Sequence, residues 1–213
     1  MAYALQHCIG CAMLCIVIAM VCDFFDGKVA RWFNAVSETG MYLDAISDFV
    51  SFGVAPAVLW IAVNQPGRTP VALFVACMYV LCGFYRLFRY VRTHKDTKET
   101  ASFTGLPIPA AAGIIVGYSI ASYYGKPVGG SFFSLSLLVT AAFLMVSRLP
   151  YYHFGYLIAQ KDRRKLAVLL GVCGIGIVYF GAALSVFIIF MTYTLGGINW
   201  QRLREEPEVE LVK

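Results

Sequence analysis

Six stretches of this sequence contain no Asp, Glu, Lys or Arg: Met1 to Cys22, Phe49 to Gly67, Thr69 to Tyr85, Thr100 to Gly125, Pro127 to Ser147 and Leu166 to Gln201. A helix crosses the hydrocarbon of a bilayer with roughly 20 apolar residues, at about 1.5 Å each. The gaps therefore predict six spans, near 3–24, 42–63, 70–90, 106–124, 131–149 and 166–194. A soluble domain carries about a quarter of its residues as charges, whereas this 213-residue chain has 14% charged and 60% hydrophobic residues. The expected class is all-α, a polytopic integral membrane helix bundle. A net charge of +5 is too mild to argue for nucleic acid.

The placement of Lys and Arg in short loops sets orientation. Lys28, Arg31, Arg86, Arg89, Arg92, Lys95, Lys98, Arg148, Lys161, Arg163, Arg164 and Lys165 fall in alternate loops and make up twelve of the seventeen basic residues. That set is expected in the cytoplasm, which puts Met1 and the polar tail from Gln201 outside. No cleavable signal is expected, because Asp23 and Asp26 follow the first span instead of a small-residue cleavage site. All seven cysteines lie in apolar stretches. Cys8 and Cys11 form a CxxC with only His7 nearby, and they read as small buried hydrophobes.

Against so few charges, Asp23, Asp26, Asp44 and Asp48 are conspicuous. Asp23 and Asp26 lie three apart on a helical path and share a face that Gly27 and Arg31 continue; Gly40, Asp44 and Asp48 repeat at intervals of four. Asn34 and Ser37 lie between and can turn the chain, so two antiparallel helices would bring four carboxylates to one membrane depth. Such a group needs cations between its members. Hard divalent ions, Mg²⁺ or Mn²⁺, suit oxygen ligands and share their coordination with phosphates. The competing reading, four solvated helix-end charges, suits any one aspartate but not this spacing.

The stretch reads D-x2-D-G-x2-A-R-x8-G-x3-D-x3-D from Asp23 to Asp48, and it resembles the signature of the CDP-alcohol phosphotransferases. Further segments, Ser47 to Ala57 (SDFVSFGVAPA), Cys82 to Arg89, Phe103 to Ala110 and Leu144 to Arg148, resemble those of the membrane-embedded bacterial and archaeal phosphatidylserine synthases. The resemblance runs from about residue 3 to about 154. It implies a metal-dependent transfer of a phosphatidyl group from CDP-diacylglycerol to the hydroxyl of L-serine, releasing CMP, in the plasma membrane of a prokaryote with the site facing the cytoplasm. Two divalent cations and a homodimer are also implied. So is a first family helix that would precede the span ending at Asp23 and is missing here.

Carried over residue by residue, the resemblance assigns Asp23, Asp26 and Asp44 to one metal and Asp23, Asp44 and Asp48 to the other, with Asp48 also the general base. Gly27, Arg31 and Ser37 match positions that bind CDP. Arg86 and Arg89 are candidates for the serine carboxylate or the lipid phosphate, with anchoring at the membrane surface as the equal alternative. Thr104 and Ser51 could line the same pocket. The expected organisation is a catalytic membrane domain over 1–154, a basic cytoplasmic loop over 155–165, an additional transmembrane helix over 166–194 and a polar tail over 195–213. Competing functions are a sister enzyme using glycerol phosphate, inositol phosphate or choline, or an ether-lipid substrate. A cation transporter is disfavoured because no acidic residue lies mid-span in any later helix, and a non-catalytic scaffold would not need the aspartates.

Overall fold

The computed structural model describes residues 2–32, 38–65, 67, 69–94, 102–125, 129–152, 187–188, 190–192 and 194. They form a helical bundle: α1 (Ala2–Trp32), α2 (Glu38–Asp48), a π-helical turn (Phe49–Val54), α3 (Ala55–Asn64), α4 (Pro70–His94), α5 (Ile108–Tyr124) and α6 (Gly130–Val146). Five of the six expected spans thus coincide with described helices. The sixth, together with the loop 155–165 and the tail 195–213, lies outside the described residues apart from 187–188, 190–192 and 194, which are helical.

Thr39–Asn64 and Pro70–Arg92 are long and apolar enough to cross a bilayer by themselves, while Ile108–Tyr124 and Gly130–Val146 are shorter apolar helices. The outer surface is apolar as well: Leu14, Leu43, Val58, Phe74, Leu81 and Phe143 are all exposed. A water-soluble monomer rarely presents apolar surface on so many sides, whereas lipid solvates it. Polar side chains turn inward instead, where Asn64 donates to the Ser119 hydroxyl at 3.0 Å and Gln65 to that of Ser134 at 3.3 Å.

Helix α5 is the axis of the bundle, with every residue from Ile108 to Ser119 buried except Pro109. Its Ala and Gly residues let neighbours approach closely, as small residues do between membrane helices. A Cβ on Gly113 would meet the ring of Phe190 at 2.3 Å, and one on Gly117 the backbone nitrogen of Phe187 at 2.6 Å. The end of the chain's last apolar stretch therefore covers the axial helix. Pro107 is the N-cap of α5 and Pro109 sits in its first turn, where a missing N–H costs nothing.

Two features depart from simple spans. Between α2 and α3 the rod is not continuously α-helical: Phe49–Val54 is a π turn, and the Ala55 N–H donates to the carbonyl of Val50. Pro56 explains the departure, since proline offers no N–H to the carbonyl four residues back and its ring presses on it. The second is a short antiparallel ribbon of β1 (Ser102–Thr104) and β2 (Pro150–Tyr152) outside the helices, with Phe103 opposite Tyr151. Gly105 ends β1 with φ of 84°.

Candidate active site

Asp23 and Asp26 project from α1, Asp44 and Asp48 from α2. One carboxylate oxygen from each of Asp23, Asp26 and Asp44 lies within 4.8 Å of the others. The Asp48 carboxyl is within hydrogen-bonding reach of Asp23. All four line one cavity of about 130 Å³, closed by Ala19, Cys22, Ser47, Ser51 and Phe52. Asp26 and Asp44 are exposed, while Asp23 and Asp48 are half-buried. The i, i+3 and i, i+4 spacing read from the sequence produces this convergence, because each helix shows both its carboxylates on the face turned to the other.

The donor set suits a hard divalent ion. Three carboxylate oxygens at this separation repel strongly in a partly desolvated site, and a cation between them reverses the sign. The Ser47 and Ser51 hydroxyls add neutral oxygen donors to the lining, and among the described residues no sulfur or imidazole belongs to the acidic cluster.

Arg86 stands on α4, buried at 7% exposure, and its positive charge acts on both Asp23 and Asp48. Arg89, one turn on, is engaged elsewhere: it donates to the carbonyls of Val146 at 3.2 Å and Ser147 at 3.4 Å. These are orphan carbonyls at the C-terminus of α6, where a cation is favoured. The same corner holds the Gly105 turn, whose N–H donates to Leu149 at 2.8 Å. The two arginines, indistinguishable in sequence, are thus placed differently: Arg86 beside the carboxylates, Arg89 on backbone carbonyls.

Gly27 and Arg31 lie on the same α1 helix, one and two turns beyond Asp23. Ser37 and the basic cluster Lys161, Arg163, Arg164 and Lys165 fall outside the described residues. Thr104 is in β1. Ser51 does line the cavity; Ser47 was not singled out by sequence reasoning, although its position three residues after Asp44 and beside Asp48 puts it on the same side of the helix. A second, apolar groove of about 440 Å³ lies between Cys15 and Ile16 of α1, two turns before Asp23, and Val50, Val54 and Val58, which follow Asp48.

The sequence that builds this cavity matches a family of known proteins. A profile of the family described as CDP-alcohol phosphatidyltransferase covers residues 1–147. The chain belongs to that family. It is accordingly a phosphotransferase built as a membrane helix bundle. Among curated relatives, the CDP-diacylglycerol–serine O-phosphatidyltransferase of Bacillus subtilis is 35% identical over 150 residues, 70% of this chain and 79% of the relative. Proteins of the same name from Mycobacterium bovis and Helicobacter pylori are 30% and 31% identical, covering 97% and 93% of this chain and 76% and 83% of their own lengths.

Proposed function

We propose that this enzyme makes phosphatidylserine, transferring the phosphatidyl group of CDP-diacylglycerol to the hydroxyl of L-serine with release of CMP. The observation that carries the reading is the convergence of Asp23, Asp26, Asp44 and Asp48 on one cavity in a chain whose relatives bear that activity in their names. A serine hydroxyl must lose its proton as it attacks phosphorus, and Asp48, half-buried in the cavity lining, is the group to accept it. Asp23, Asp26, Asp44 and Asp48 would hold two divalent cations, Mg²⁺ or Mn²⁺, which when bound supply charge neutralisation for the pyrophosphate and the departing CMP. Gly27 brings backbone to the nucleotide without a side chain in the way; Arg31 and Ser37 take its phosphate and hydroxyl contacts. Arg86, already beside Asp23 and Asp48, fits the carboxylate of serine or the lipid phosphate. The apolar groove beyond Ile16 and Val54 suits an acyl chain of the donor.

The aspartates share their end of the bundle with Arg86, Arg89, Arg92 and Arg148, so the positive-inside rule supports a site facing the cytoplasm. We further infer residence in a prokaryotic plasma membrane, a homodimer, and a catalytic unit over 1–154. Phe187 and Phe190, from the chain's last apolar stretch, seat on α5 at Gly117 and Gly113. The test is an acceptor comparison: purified protein with CDP-diacylglycerol and Mn²⁺ is offered serine, glycerol 3-phosphate or inositol phosphate in parallel. Serine-dependent CMP release is expected, and release driven by a phosphorylated alcohol instead would move the enzyme to a sister activity.

A further inference from the structure

The π turn that follows Asp48 leaves one backbone group without its usual partner. In an α-helix the carbonyl of Phe52 would accept from the N–H of residue 56, but residue 56 is proline. Phe52 is buried at 1% exposure, so water cannot substitute, and an unpaired carbonyl at this depth is costly. A donor comes from a different helix: the Tyr79 hydroxyl of α4 donates to the Phe52 carbonyl at 3.1 Å, and Tyr79 itself is fully buried.

The bond falls at a sensitive place. Phe52 and Ser51 line the aspartate cavity, and the turn begins directly after Asp48. On α4, Gly83 and Arg86 follow Tyr79 at i+4 and i+7 and so continue its face. A Cβ on Gly83 would lie 3.9 Å from the Cα of Gly53, so the two helices touch there through glycines, and Arg86 comes to bear on Asp23 and Asp48 one turn further. Tyr79 is thus the fixed end of a three-point contact that sets how α4 lies against the aspartate-bearing rod.

We propose that Tyr79 is a positioning residue for the reaction: by taking the carbonyl that Pro56 frees, it holds the π turn in register and thereby fixes Asp48 and Ser51 of the rod against Arg86 of α4. This rests on the carboxylate cavity being the catalytic centre. The side chain touches neither substrate nor metal, so its effect must travel through the turn, and Pro56 and Tyr79 must act as one unit.

The experiment is a double-mutant cycle in the full chain, with kcat, KM for serine and the Mn²⁺ concentration for half-maximal activity measured per folded protein, alongside thermal unfolding. Tyr79→Phe is expected to lower kcat and raise the Mn²⁺ requirement, together by about tenfold or more, the scale for partners that orient ligand side chains. Pro56→Ala restores an N–H for Phe52, so adding Tyr79→Phe to that background should change little. Additive effects of the two substitutions overturn the proposal. So does a Tyr79→Phe protein that is less stable yet keeps the wild-type kcat and Mn²⁺ dependence. Should Tyr79→Phe alone yield no folded protein, recovery of folded protein in the Pro56→Ala background supports the pairing, and failure there refutes it. Absence of CMP release by the wild type with any acceptor would be the separate failure of the proposed function.

Discussion

Replacing Asp44 by Asn should make the metal-free enzyme more stable while removing its response to metal. Asp44 offers an oxygen within 4.8 Å of both Asp23 and Asp26. Two unit charges at that distance repel by about 1 kcal/mol in water and about 3.5 kcal/mol at an effective dielectric of 20. Asp26 and Asp44 are exposed, so the lower figure applies, and deleting one charge from two such pairs relieves roughly 2 kcal/mol. For a chain of this size that is an upward shift of roughly 4–8 °C in the unfolding midpoint. Raising ionic strength to 1 M, where the screening length falls to about 3 Å, should erase most of the difference.

The wild type should behave in the opposite sense. Mn²⁺ at a hundredfold excess over its dissociation constant stabilises a binding-competent fold by about 2.7 kcal/mol, and Asp44→Asn should lose most of that gain together with turnover. Thermal unfolding of both proteins in detergent or nanodiscs, in EDTA and with Mn²⁺, at low and high salt, reads all these quantities. An Asp44→Asn protein no more stable than wild type in EDTA at low salt, or one that keeps the full Mn²⁺ shift, would refute a repulsive, metal-binding carboxylate cluster.

Other expectations follow from neighbouring contacts. Asp48→Asn should abolish CMP release while leaving CDP-diacylglycerol binding measurable by calorimetry, and an active variant would remove Asp48 from the base role. Arg86→Met should depress turnover severely, whereas Arg89→Met should chiefly lower thermal stability, by about 1–3 kcal/mol for the carbonyls it leaves unpaired; equal kinetic defects in the two would contradict their different placement. Gly117→Ala sets a methyl against the backbone of Phe187 and should cost about 1–3 kcal/mol, seen as a lower unfolding midpoint with kcat retained. Gly105→Ala combines a left-handed φ with contacts to the carbonyls of Met145 and Ser147 at 2.6 and 2.8 Å; strong loss of folded protein is expected on size-exclusion chromatography.

The aspartate cavity was legible because its information is local. Residues at i+3 and i+4 share a face whatever surrounds the helix, and the two helices are neighbours in sequence. Charge-free gaps located the five spans among the described residues for the same reason. What escaped depends on partners far along the chain. Pro56 is visible in the sequence, but the π turn it induces is stabilised by Tyr79, twenty-seven residues on from Phe52, and periodicity carries no trace of that bond. Arg86 and Arg89 both read as basic residues at the inner end of a span. Only the packing of α4 against α2 and α6 shows that one meets carboxylates and the other caps Val146 and Ser147. Gly113 and Gly117 matter through Phe190 and Phe187, seventy or more residues later. The β1–β2 ribbon unites segments of three residues each, too short to show an alternating pattern.

The carboxylates of α1 and α2 would hold the divalent ions that assist CMP release. Anomalous diffraction at the manganese edge, from crystals grown in lipid with Mn²⁺, tests it most directly. Anomalous density is expected inside the cavity, contacting Asp23, Asp26, Asp44 and Asp48, and it should disappear in the Asp44→Asn protein. Manganese bound only elsewhere in a preparation that turns over, or full turnover in crystals and solution stripped of divalent ions, would contradict it.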